Sequence, residues 1–152
     1  MPLTTPNRMQ SCDLGSPPVY MVIPSDATEA RRVQDQVEQC LQATACHDHD
    51  LFSIRLALEE ALVNAIKHGN RYDRTKQVQI AYRLLPDRFV VRITDEGAGF
   101  DPNEVPDPTT FENCEHPGGR GLMLMRHYMT EVVFNERGNA VTLCKWLRNG
   151  NK

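Results

Sequence analysis

The chain has 152 residues, 40% of them hydrophobic, with a formal net charge of −3 at pH 7, a size and composition that suit one ordinary globular domain with a proper core. Acidic and basic residues are mixed along it with no basic stripe, which argues against nucleic acid or an anionic membrane as a partner. No apolar run approaches the roughly 18 residues of a membrane span, and the opening "MPLTTPNRMQSCDLGSPP" lacks the apolar core of a signal peptide, so the expected location is the cytoplasm.

Residues 1–18 hold four prolines and little apolar periodicity and read as a mobile tail, leaving residues 19–148 as the folded domain. "VYMVI" (19–23) is a short strand. "PSDATEARRVQDQVEQCLQAT" then places Asp26 three residues before Glu29 in a capping-box arrangement and continues with Ala30, Val33, Val37 and Leu41 at helical spacing. A second helix is expected from about 49 to 68, closed by Gly69 in a left-handed conformation. "QVQIAYRLL", "PD" and "RFVVRITDE" alternate apolar and polar residues on both sides of a turn, the pattern of an antiparallel hairpin. Residues 101–117 contain Pro102, Pro106, Pro108 and Pro117 and no clear period, which marks a long loop. "GGRGLMLMRHYMTEV" restarts a helix, and "VVFNE", "RGN" and "AVTLCKWL" form a second hairpin. The order predicts an α+β fold, a two-layer α/β sandwich whose mostly antiparallel sheet is covered by helices on one face.

Five cysteines are odd in number and lack CxxC spacing, which fits reduced thiols used as small hydrophobes. Within "CHDHD" (46–50), Asp48 or Asp50 is expected to cap the second helix, adjacent positions there diverging too much for a zinc site.

Three short stretches carry candidate chemistry. In "LEEALVNAIKHGN" (58–70), at 100° per residue, Glu60, Asn64 and Lys67 fall within an arc of roughly 60° opposite Leu58, Ala61, Leu62, Ala65 and Ile66. Ser53 projects onto the same line, while Arg55 and Glu59 at i,i+4 would pair on a third strip. "DEGAGF" sets Asp95 at a strand end followed by Gly97 and Gly99. A carboxylate there can accept from an exocyclic amine while glycines let a flat ring approach the backbone; the same residues also make an ordinary turn. "GGRGLML" puts Gly118, Gly119 and Gly121 at a helix start, where free N–H groups favour anionic oxygens, although glycine also relieves crowding at such junctions.

The order of these stretches resembles the N, G1 and G2 boxes of the GHKL ATPases, the superfamily of gyrase, Hsp90, histidine kinases and MutL. The resemblance covers residues 24–146, and "EALVNAIKHGN", "DEGAGFDP" and "GGRGLMLMRHYMTEV" look most like the bacterial anti-sigma-factor serine-protein kinases. It implies that Asn64 coordinates Mg²⁺, that Lys67 sits near the phosphates of ATP, and that Asp95 recognises the adenine amino group. Gly97, Gly99, Gly119, Arg120, Gly121 and Leu122 would complete the nucleotide site, with residues 101–117 as its lid. Glu60 matches the general base of the kinase and ATPase members, with Glu59 the weaker candidate. One departure stands out: where family members often open the last strand with Gly-Thr, this chain reads Gly138-Asn139-Ala140, so adenine recognition is expected to fall on Asp95 and water.

The function implied is an ATP-dependent serine kinase that sequesters a sigma factor, phosphorylates a serine of an anti-anti-sigma antagonist of the STAS type, and works as a homodimer. The alternative is a nucleotide-gated binding switch without phosphotransfer. A histidine kinase would need a long helical segment presenting a phosphoacceptor histidine, and a DNA-cleaving or mismatch-repair ATPase would need further domains.

Overall fold

The computed structural model describes residues 17–44, 46–99 and 119–148. In chain order these form β1 (Val19–Pro24), α1 (Ala27–Ala43), α2 (Asp48–Val63), a π-helical turn (Asn64–Gly69), β2 (Gln77–Leu84), β3 (Arg88–Thr94), α3 (Gly119–Tyr128), β4 (Glu131–Phe134) and β5 (Ala140–Trp146). The expected loop at 101–117 and residues 1–16 of the expected tail lie outside the described residues.

The strands form one sheet in the order β1-β2-β3-β5-β4, every neighbouring pair antiparallel. The period-two alternation in each strand sends one set of side chains to one face. The register aligns these sets into two rows running across all five strands: Met21, Ile80, Ile93, Val141 and Phe134 in one, Val19, Tyr82, Val91, Leu143 and Val132 in the other. The helices cover this face. Val33, Val37 and Leu41 of α1, Ile54, Ala57, Leu58, Ala61 and Leu62 of α2, and Leu122 and Met125 of α3 close the core against it. The result is the two-layer α+β sandwich that the pattern predicts, with α2 in the middle, packed on both α1 and α3.

Local details differ from the sequence-based expectations where tertiary contacts intervene. Asp26 caps α1 by accepting from the N–H of Thr28 at 2.9 Å, but Glu29 turns outward to Arg32 at 3.2 Å. The reciprocal half of the capping box is not made because the Asp26 N–H already bonds the Pro24 carbonyl at 2.8 Å, where β1 turns into the helix. At α2 the cap is His47, whose Nδ1 accepts from the His49 N–H at 3.2 Å, and neither Asp48 nor Asp50. Asp50 points inward, 1% exposed, where Oδ2 accepts from the Arg148 N–H at 2.6 Å and Oδ1 lies 3.8 Å from the Arg148 guanidinium. It therefore ties the residues following β5 to the base of α2. Arg55 pairs with Glu38 of α1 at 3.3 Å instead of Glu59, since packing of the two helices brings the cross-helix partner within reach.

Cys40, Cys46 and Cys144 are free thiols; burial, with Asp50 and Asp48 nearby, pushes Cys46 up to about 11, which keeps it unreactive. No helix among the described residues is long and apolar enough to cross a membrane. Phe89, on the central strand, is the largest fully buried side chain among the described residues. Phe89→Ala should lower unfolding free energy by about 3–5 kcal/mol, the usual cost of an aromatic-sized core cavity, measured by denaturant titration.

Candidate functional site

The site forms where the C-terminal end of α2, the end of β3 and the start of α3 meet. α2 does not stop at a glycine in the left-handed conformation. It widens at Asn64 into a π-helical turn, in which the Asn70 N–H reaches back five residues to the Ala65 carbonyl at 2.8 Å. The left-handed residues that end it are Arg71 (φ 52°) and Tyr72 (φ 60°), not Gly69. Such π turns occur mostly inside α-helices and often at functional sites.

The widened turn changes which side chains share a face. Glu60 and Asn64, both half-buried, precede it or open it and keep their common line. Each residue beyond Asn64 advances by less than the 100° of an α-helix, so Lys67 falls behind that line. It lies exposed in the groove between α1 and α2, which is lined also by Arg31, Glu59, Val63 and Tyr72. The expected three-residue line is thus a pair, Glu60 and Asn64. Ser53 does not extend it, being fully buried with its hydroxyl donating to the His49 carbonyl at 2.9 Å.

Gly121, in the first turn of α3, sits directly over this pair. A Cβ added there would lie 2.9 Å from Glu60 Oε1 and 3.2 Å from Asn64 Nδ2. Glycine is therefore the residue that lets the first turn of α3 descend onto the two polar side chains. Gly119 opens the helix and Leu122, 6% exposed, anchors it in the core. The side chain of Arg120 lies outside the described features. The first turn of a helix carries N–H groups without intrahelical partners, and Gly121 brings that turn of α3 against Glu60 and Asn64.

Asp95 lies at the end of β3, half-buried, with its carboxylate against the α-carbon of Gly69, where any Cβ would overlap it. Gly97 is pressed on the Gly69 carbonyl, and Gly99, at φ 86°, on the Arg137 carbonyl. Asp95 Oδ1 accepts from the Gly97 N–H at 2.8 Å. Burial raises the Asp95 pKa; the Gly97 N–H, Arg137 and Lys76 act in the opposite direction.

Two asparagines that the sequence reading did not select hold this corner. Asn70, 1% exposed, accepts from the Glu96 N–H at 2.8 Å and donates to Ser25 Oγ and the Gln77 carbonyl, both at 3.0 Å. Asn139 donates from Nδ2 to the Asp95 carbonyl at 3.0 Å, and its own carbonyl accepts from the Asp95 N–H at 2.8 Å. Asn70 follows a helix-ending glycine, where asparagine reads as punctuation, and Asn139 registers in the sequence only as a missing threonine, so neither offered a signal of its bonding.

This geometry fits an adenine nucleotide and a hard divalent cation. Gly69 and Gly97 let the Asp95 carboxylate pack against the end of the α2 region, which fixes its place, and the Glu60 and Asn64 oxygens are the donor type that Mg²⁺ prefers. Among the described residues Asp95 Oδ2 accepts no hydrogen bond, which leaves it open to an amino group.

The family model of the histidine kinase-like ATPase domain matches residues 23–145. Serine-protein kinase RsbW of Bacillus subtilis is 33% identical over 112 residues, an alignment covering 68% of either chain. RsbW of Bacillus licheniformis is 31% identical, covering 64% of this chain and 66% of that one. The serine/threonine-protein kinase BtrW of Bordetella bronchiseptica is 30% identical over 57% of this chain and 62% of that one. The chain thus spans about two thirds of the length of these relatives. The crystal structure of the RsbU and RsbW domains of Rv1364c from Mycobacterium tuberculosis superposes with a TM-score of 0.60 at 19% identity, over 88% of this chain and 34% of that one, a likeness of fold. Sheet order, the Gly121 contact over Glu60 and Asn64, and these similarities agree: the chain belongs to the histidine kinase-like ATPase domain family and, within it, groups with the RsbW-type serine-protein kinases.

Proposed function

We propose that this chain is an ATP-dependent serine-protein kinase acting as an anti-sigma factor in the cytoplasm, one that binds a sigma factor as a homodimer and phosphorylates a serine of a STAS-type antagonist. The observation that carries the reading is the placement of Glu60 beside Asn64 beneath Gly121 at the start of α3. A carboxylate and an amide oxygen of the kind a hard cation takes lie there side by side, under the start of a helix, where phosphate would be favoured.

Asp95 would accept from the exocyclic amine of adenine. Asn64 Oδ1 would ligate Mg²⁺, and the N–H groups of Gly119, Gly121 and Leu122 would receive phosphate oxygens. Bound Mg-ATP supplies the phosphoryl group and a cation that offsets its charge. Glu60 would orient the substrate serine and take its hydroxyl proton as the oxygen attacks. Lys67, exposed in the α1–α2 groove, would reach the phosphates as a point charge only by extending its long side chain around the π turn.

The direct test is incubation of the purified protein with Mg-ATP and candidate STAS partners, followed by detection of phosphoserine; absence of transfer to every candidate would favour a nucleotide-gated switch. Glu60→Gln keeps size and hydrogen bonding but removes the proton acceptor. It should bind Mg-ATP nearly normally yet transfer phosphate about 10²- to 10⁴-fold more slowly in single-turnover experiments. Asn64→Ala should abolish Mg-dependent ATP binding in calorimetry while leaving the melting temperature close to that of the wild type.

The raised pKa of Asp95 sets a pH dependence. The ionised carboxylate is the acceptor, so ADP affinity is full above the raised pKa and lost as pH falls through it, starting above the ordinary aspartate range. The same sign makes the buried carboxylate a stability liability that protonation relieves, so the fold should persist while affinity falls. Calorimetric ADP titrations across pH, with Asp95→Asn as the variant that is uniformly weak and pH-independent, check both statements.

A further inference from the structure

The turn between β4 and β5 carries more polar bonding than a hairpin needs. Asn135 Oδ1 alone accepts from the N–H groups of Gly138, Asn139 and Ala140 at 2.8, 3.0 and 3.1 Å, which closes the turn. The Asn139 side chain joins that turn to the end of β3. Its Oδ1 accepts from Asn135 Nδ2 at 2.7 Å, which fixes the amide orientation, and its Nδ2 is thereby aimed at the Asp95 carbonyl at 3.0 Å. With the Asp95 N–H on the Asn139 carbonyl at 2.8 Å, both main-chain groups of Asp95 are bonded to a single residue of the neighbouring strand end.

We infer that Asn139 is a positioning residue that sets the base selectivity of the site by holding the main chain of Asp95, with Asn135 orienting its amide; the inference rests on the adenine-binding role proposed for Asp95. Asp95 Oδ1 is occupied by the Gly97 N–H at 2.8 Å, so Oδ2 is the atom that meets the base. Adenine presents an amino group to it, whereas guanine presents a carbonyl oxygen at the same ring position and is repelled by the carboxylate. That contrast operates only within hydrogen-bond reach, so it depends on how closely the backbone of Asp95 is held. A threonine or serine hydroxyl at position 139 would sit one bond nearer its own backbone than the amide nitrogen and could not span to the Asp95 carbonyl. The position where this chain departs from the common Gly-Thr pair thus becomes part of the base-reading apparatus by a different bond.

The test is calorimetric affinity for ADP and GDP, diphosphates that avoid turnover, in the wild type, Asn139→Ala, Asn139→Ser and Asp95→Asn, with thermal melting to verify folding. The wild type should prefer ADP. Both Asn139 variants should narrow that preference about three- to tenfold, through weaker ADP binding and not stronger protein destabilisation, the range expected for one lost hydrogen bond. Asp95→Asn should remove most of the preference. The two Asn139 variants keeping the wild-type ratio while Asp95→Asn loses it would overturn the role of Asn139 and leave that of Asp95 standing. A wild type without preference for ADP, or an Asp95→Asn variant that retains it, would overturn the adenine reading itself. The serine variant carries the comparison if the alanine variant does not fold.

Discussion

The close approach of two backbones, at Gly69 and Gly97, is the constraint on which the site depends. The end of the α2 region and the end of β3 touch without intervening side chains, and the Asp95 carboxylate lies against the Gly69 α-carbon. A methyl group at either glycine would overlap its neighbour, so the helix and strand could meet this way only where Cβ atoms are absent. Because α2 is also the middle helix of its layer, this contact fixes where Glu60 and Asn64 stand relative to the sheet.

The contact has costs that the surrounding polar network offsets. Arg71 and Tyr72 adopt left-handed conformations that non-glycine residues disfavour by about 1–2 kcal/mol each. Asp95 is partly removed from water, which raises its pKa. Against these stand the three hydrogen bonds of buried Asn70 and the two that Asn139 makes to the Asp95 main chain. A buried amide whose donors and acceptor are all engaged is stabilising chiefly because leaving any of those partners unpaired would cost more. The strained chain and the satisfied asparagines are parts of one corner.

The other half of the site depends on α3. Its first turn comes down onto Glu60 and Asn64 through Gly121, while Leu122 and Met125 hold the helix in the core. At the far end, Lys145 Nζ donates to the Tyr128 carbonyl at 2.8 Å, a cation placed where the helix dipole favours one. The same dipole would favour an anion at the opposite end of α3.

The sequence by itself determined the element order, the antiparallel hairpins, the covered face of the sheet and the residues that bear the family's boxes. Each of these follows from a local rule: period two in 77–84 and 88–94, apolar spacing in α1 and α2, and glycines at set distances from polar residues. Tertiary structure alone decided the π turn at Asn64, and with it the departure of Lys67 from the line of Glu60 and Asn64, since that line had been drawn at a constant 100° per residue. It also decided that His47 caps α2 while Asp50 ties down Arg148, and that Asn139 holds Asp95 while Asn70 holds its neighbour Glu96. These side chains bond to atoms 26 to 98 positions away or to a neighbour that packing has reoriented. No periodicity records such bonds, because they exist only once separate segments have been brought together.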